Sequence, residues 1–248
     1  MTANFVTFYL IIVLITGPFF QFLPVATYLK WDEVLLAKIL NQAPTVFLLG
    51  YLLFPLNKSK KRVIWLLIVF LVSCIIPEIY HYIIHPDNQF VVIVSNNIIS
   101  YSIIGWIFLG QKSPFNKITK NVWITAIGFF LLTILSFSFS AIKIFQHYLP
   151  NRPLGFLVVV TFMIVASLLV FFSFLTASPF KRAWYEIVCG ILFLVLVDIY
   201  VYSSFFIYNG PPEHLFTYGK VFFSVGLLLL VDGISRQRKN ILSKPQLY

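Results

Sequence analysis

Long apolar runs follow one another through this chain with almost nothing polar between them. A bilayer core takes about 20 mostly apolar residues per helix, and eight stretches meet that length, at roughly 5–28, 33–55, 62–84, 90–110, 121–145, 154–176, 183–207 and 214–234. The breaks are short and polar, such as "KWDE", "NKSKK", "HPDN" and "NGPPE". None is long enough to fold as a soluble domain, so residues 1–248 read as one transmembrane domain, with 235–248 a short basic tail. The expected fold class is an all-α polytopic membrane helix bundle. Composition agrees: 60% of the 248 residues are hydrophobic and 10% charged, against about 45–50% and 25% in a soluble domain.

The net charge of +10 raises nucleic-acid binding as a function, but no polar domain carries a binding face. Membrane topology explains the charge better. Lys58, Lys60, Lys61 and Arg62 separate spans two and three, and Lys112, Lys117 and Lys120 separate four and five. Lys181 and Arg182 separate six and seven, while Arg236, Arg238, Lys239 and Lys244 follow span eight. The opposite loops hold only Lys30 and Arg152, with Asp32, Glu33, Asp87 and Glu213. Basic residues mark the cytoplasmic side, so both termini are expected inside. The N-terminus has no basic n-region and no A-x-A-like cleavage site, so the first run is expected to be a retained helix. Cys74 and Cys189 lie in apolar runs and are expected as small buried hydrophobes without a disulfide. Trp31, Trp65, Trp123 and Trp184 fall near span ends, where an aromatic belt sits.

Ionisable residues inside the spans are the functional candidates, because each is costly to insert. Counting about 1.5 Å per residue, Glu78 lies about 24 Å beyond Arg62, near the outer side of the core. His81 follows one turn later. Asp198 lies in the middle to outer half of span seven, and Lys38, Lys220, Asn96 and Asn97 share roughly that depth. Glu186 and Asp232 sit near the basic ends beside Arg182 and Arg236 and are expected as interfacial ion pairs. Lys143 reads as a snorkelling residue, and His85, His147 and His214 as interfacial.

Pro77 precedes Glu78. A proline within a helix frees a carbonyl one turn back, which a membrane tolerates where a cavity or polar neighbour satisfies it. With Pro18, Gln21 and Pro24 in span one and Asn41, Gln42 and Pro44 in span two, the expectation is a polar cavity open toward the outer leaflet. Two carboxylates with a nearby His and Lys suit general acid–base work, proton relay, or cation transport. A metal site is weakly signalled, since Glu78 and His81 form only one Glu-x-x-His. No G-x-S-x-G, P-loop or Rossmann fingerprint occurs, and no cofactor is implied.

At spans seven and eight, "WYEIVCGILFLVLVDIYVYSSFFIY" and "LFTYGKVFFSVGLLLLVDG" resemble the YhhN-like, or lysoplasmalogenase-like, membrane proteins. The matching positions are Gly190, Phe193, Asp198, Thr217 and Tyr218. "AKIL" with Lys38 resembles the family's Lys-Pro-Leu segment, and Pro77-Glu78 falls where the family carries Gly-Asp. The chain departs from the pattern at Ile39, in "SNNIISY" of span four, at Val197 and at Phe222. The resemblance implies hydrolysis of the vinyl-ether bond of lysoplasmalogens in a bacterial inner membrane. On that reading Glu78 and Asp198 would share the acid work, and Lys38 or Lys220 would hold the lipid phosphate. The residues themselves add His81 to the catalytic candidates and Asn96 and Asn97 to the substrate-binding ones, which the matching position Tyr218 joins. Membrane lipids, including a lysophospholipid substrate, are the implied partners. The alternative from the altered motif positions is a non-enzyme: a lipid or small-molecule binder, a transporter, or a structural subunit of a membrane complex.

Overall fold

The computed structural model describes residues 1–16, 33–53, 61–83, 86–111, 118–148, 153–176, 181–207 and 215–243. Eight helices account for nearly all of these residues: α1 (Ala3–Leu14), α2 (Glu33–Leu53), α3 (Lys61–Ile83), α4 (Pro86–Leu109), α5 (Lys120–Tyr148), α6 (Pro153–Phe174), α7 (Lys181–Ile207) and α8 (Leu215–Ser243). Each expected span overlaps one of them. Within α4 to α7, four stretches are long and apolar enough to cross a membrane: Val91–Leu109, Lys120–Phe139, Leu154–Phe174 and Lys181–Ser203. The apolar stretches of α1, α2 and α3 are shorter, at Ala3–Leu14, Gln42–Leu53 and Arg62–Pro77. Helix α8 runs on through Ser243, so the start of the expected tail is helical. No Gly or Pro interrupts "ISRQRKNILS", and charged residues are good helix formers.

Helices α7 and α8 run antiparallel, with Gly190 against Gly226 and Ala183 against Gly233, whereas α4 and α6 run parallel, with Tyr101 beside Phe162 and Gly105 beside Leu169. Tyr9 on α1 donates its hydroxyl to the Ser224 carbonyl on α8 at 2.8 Å, and Phe5 stacks on Phe47 of α2 with ring centroids 5.0 Å apart. Helix α1 therefore docks between α2 and α8. Phe137 of α5, Phe162 of α6 and Tyr202 of α7 pack together at the centre, with Phe162 and Tyr202 5.2 Å apart. The most closely packed neighbours include α7 with α8, α5 with α6, α3 with α4, and α4 with α6. Helices α4 and α7 are not among the closely packed pairs; they are joined through side chains that reach across the interior.

Small residues spaced seven apart set the α7–α8 contact. Ala183, Gly190 and Val197 on α7 face Gly233, Gly226 and Gly219 on α8. A Cβ on Gly190 would stand 2.7 Å from the Leu230 amide nitrogen and 2.9 Å from the Gly226 carbonyl oxygen. Small residues let backbones approach this closely, and a seven-residue period is that of a left-handed helix pair.

At one end of the bundle the charges are paired. Arg182 meets Glu186 at 2.8 Å, and Arg236 meets Asp232 at 2.8 Å and Glu186 at 3.3 Å. The amino group of Met1 reaches Asp232 at 2.6 Å, which places the start of α1 and the end of α8 at the same end. Glu186 and Asp232 are thus ion-paired, as their spacing from Arg182 and Arg236 suggests. Hydrogen bonding and the charge of Asp232 push the Arg236 guanidinium above its ordinary pKa.

Two single-residue expectations change. Cys189 is exposed on α7 while Cys74 is partly buried, and both are free thiols; an apolar run does not say which face of its helix packs inward. The Trp184 indole N–H donates to the Phe174 carbonyl at 3.1 Å. It thereby satisfies one of the carbonyls that the end of α6 leaves over, in addition to lying near a span end.

Candidate functional site

The proline of α3 organises the first layer of polar contacts. Pro77 has no N–H, so the Ser73 carbonyl, four residues back, loses its helical donor. Asn96 of α4 supplies the replacement, with its Nδ2 2.8 Å from the Ser73 oxygen. The Ser73 hydroxyl donates to the Phe70 carbonyl at 2.6 Å and contacts the Ser100 hydroxyl at 2.7 Å. Ser100 in turn donates to the Asn96 carbonyl at 2.9 Å. Ser73, Asn96 and Ser100 are all buried. This network fastens α3 to α4 and directs an N–H of the buried Asn96 amide at the Ser73 carbonyl, so Asn96 acts here as a structural residue.

The second layer joins α4 to α7. Tyr101 donates its hydroxyl to Oδ2 of Asp198 in a short hydrogen bond. One turn away, the Tyr202 side chain hydrogen-bonds Asn97. Each helix contributes two residues four apart, Asn97 and Tyr101 from α4 and Asp198 and Tyr202 from α7, and side chains at that spacing share a helix face. The two pairs bridge helices whose backbones are not closely packed. Cys74 of α3 lies within electrostatic reach of Asp198 and Tyr101. Phe162 packs at a tilt against both tyrosines, with ring centroids 5.6 Å from Tyr101 and 5.2 Å from Tyr202. Asp198 is only partly buried, and among the described residues no hydrogen bond is made to its Oδ1.

The structure thus brings Asp198 and Asn97 together and turns Asn96 away from them into the α3 contact. Lys220 is partly buried on α8. Its neighbour Gly219 lies next to Val197, so Lys220 shares the level of Asp198. The side chains of Lys38, Glu78, His81 and Tyr218 lie outside the described residues, as do those of Lys143, His85, His147 and His214. The backbone of Glu78 is one helical turn beyond Cys74 on α3. Among the described residues, no three His, Cys, Asp or Glu side chains converge as metal ligands would.

Sequence reasoning missed Tyr101 and Tyr202. Tyr101 sits well inside its apolar run, away from the ends where an aromatic belt places tyrosine, and that position is the signal that could have found it; Tyr202 lies beside the end of the Lys181–Ser203 stretch and carries no such signal. Chemically, the site offers one carboxyl that is oriented by a phenol and whose second oxygen has no hydrogen-bond partner among the described residues. A group of this kind can give a proton to a substrate and take one back. No family model matches the chain, and no curated protein and no solved structure is detectably similar to it.

Proposed function

We propose that this chain is a lipid-directed hydrolase of the membrane, acting on the vinyl-ether bond of a lysolipid, with Asp198 as its proton-transferring group. It is an integral protein of eight spans, with the basic end and both ends of the chain facing the cytoplasm of a bacterial inner membrane. The basic loops support that orientation. The observation that carries the chemical reading is the tyrosine-held Asp198 carboxyl, partly accessible in the interior between α4 and α7.

The reaction makes modest demands. A carboxyl proton is added to the β-carbon of the vinyl ether, which leaves an oxocarbenium ion. Water adds to the α-carbon and returns a proton to the carboxylate. The hemiacetal then collapses to an aldehyde and the glycerol hydroxyl, so one water is consumed and the acid is regenerated. Tyr101 fixes Oδ2, leaving Oδ1 to face the substrate. In this reading Glu78 and His81 share the proton traffic, Lys38 and Lys220 hold the lipid phosphate, and Asn97 and Tyr218 contribute to substrate binding.

The test is turnover by the purified protein in detergent, with lysoplasmalogen and an ester-linked lysophospholipid side by side. Aldehyde release from the vinyl-ether lipid is expected, falling by about 10²-fold or more in Asp198→Asn, the scale of a lost general acid. A folded, monodisperse protein that releases no aldehyde, or whose release survives Asp198→Asn, refutes the proposal.

A further inference from the structure

A second site lies at the basic end of the bundle, away from Asp198. A groove of about 460 Å³ opens between the first turns of α3 and the last turns of α4. Its walls are apolar, formed by Val63, Leu66, Ile107 and Leu109. Its polar side chains are Arg62 and Gln111, with Trp106 along one side. Trp106 is 60% exposed, an uncommon condition for so large an apolar side chain unless lipid covers it. The Gln111 side-chain oxygen is buried with no hydrogen-bond partner among the described residues. Turned by half a rotation, that amide offers an N–H donor at the same place. Arg62 is exposed and makes no ion pair among the described residues.

Charge decides what this groove fits. No acidic residue occurs between Glu33 and Glu78, or between Asp87 and Glu186. The two acids at the basic end, Glu186 and Asp232, are paired to Arg182, Arg236 and the amino terminus across α7 and α8. Among the described residues, Arg62 therefore has no carboxylate to pair with at this end. The sequence places Lys58, Lys60 and Lys61 just before it and Lys112 just after Gln111, which adds further positive charge. The start of α3 adds the positive end of a helix dipole.

We propose that this groove is a binding site for an anionic phospholipid. Its phosphodiester sits on Arg62 and the Gln111 amide, its acyl chain lies along Val63, Leu66, Ile107 and Leu109, and Trp106 packs at the interface between them. Arg suits this role, because its planar guanidinium matches phosphate in two-point contact. The proposal rests on the membrane reading of the chain and is independent of the hydrolase reading.

The experiment places the full-length protein in phosphatidylcholine nanodiscs with added brominated phosphatidylglycerol, or brominated phosphatidylcholine at the same fraction. Quenching of Trp106 is read as the difference between wild type and Trp106→Phe. Phosphatidylglycerol is expected to be preferred by about fivefold, the effect of one basic residue at an anionic surface. Arg62→Gln should bring the preference to about one. Excess inorganic phosphate should leave it unchanged, because a free anion gains nothing from the apolar wall. Equal quenching by the two lipids overturns the proposal. So does a preference that survives Arg62→Gln, one abolished by free phosphate, or one lost only when Lys58, Lys60 and Lys61 are neutralised. Failure of the protein to enter the nanodisc would instead count against the membrane reading itself.

Discussion

If Asn96 replaces the donor that Pro77 lacks, the two positions must be energetically coupled. Asn96→Ala removes the amide whose Nδ2 stands 2.8 Å from the Ser73 oxygen. It leaves that carbonyl buried without a donor, at a cost of about 1–3 kcal/mol, and adds a cavity. Pro77→Ala restores an N–H that can bond the Ser73 carbonyl within α3. In that background Asn96→Ala still opens the cavity but strands no carbonyl. The cavity cost appears on both sides of the double-mutant cycle and cancels, which isolates the hydrogen bond. Interhelical hydrogen bonds in membrane proteins average about 0.6 kcal/mol and reach about 1.7. A buried carbonyl with no alternative donor belongs in the upper part of that range, so a coupling of about 1–1.5 kcal/mol is expected. The assay is reversible unfolding in mixed micelles for the four proteins of the cycle. Additivity within about 0.3–0.5 kcal/mol, the behaviour of independent sites, would refute the reasoning.

Three further predictions follow from the same geometry. Gly190→Ala should destabilise by about 1–2 kcal/mol, since the new methyl meets backbone on α8 at an overpacking cost of about 1–3 kcal/mol, offset in part by helix propensity. The control is Gly128→Ala on α5, whose Cβ would meet nothing within 4 Å; it should be neutral or stabilising by up to about 1 kcal/mol in the same unfolding assay. Tyr101→Phe should cost about 1–2 kcal/mol by loss of a hydrogen bond to a carboxyl and should lower aldehyde release, with unfolding and turnover read on one preparation. Arg236→Gln should cost about 1–2 kcal/mol, more than an exposed pair, because it joins partly buried Glu186 on α7 to buried Asp232 on α8; the difference from wild type should narrow at high salt, which screens the pairs.

The helices were legible because their signal is local. Twenty apolar residues between polar breaks define a span whatever its neighbours are, and the breaks at "NKSKK" and "SPFKR" fell where helices begin and end. The i,i+4 pairs Arg182–Glu186 and Asp232–Arg236 were legible for the same reason. Contacts between helices were not, since a sequence does not say which helices are neighbours. Arg236 bridging to Glu186, Tyr101 reaching Asp198 and Trp184 capping α6 all depend on packing order. The small-residue stripe of α8 was nevertheless visible in principle, because Gly219, Gly226 and Gly233 recur every seven residues.

Shared depth proved a weaker guide than shared face. Asn96 and Asn97 lie at one level and read alike in sequence, yet consecutive helical side chains point about 100° apart. One therefore meets α3 and the other α7. One N–H of Asn96 is committed to the Ser73 carbonyl, which gets no donor from Pro77, and Ser73 and Ser100 tie the layer around it together. The Asp198 layer is left open: Tyr101 binds one carboxyl oxygen, the other has no partner among the described residues, and part of the side chain remains accessible. A polar group that serves only the fold has reason to saturate its hydrogen bonds, because each missing one is costly in an apolar interior. A group that must exchange a proton has to keep one position free. By that criterion Asn96 belongs to the scaffold, and Asp198 is the residue that the proposed chemistry would use.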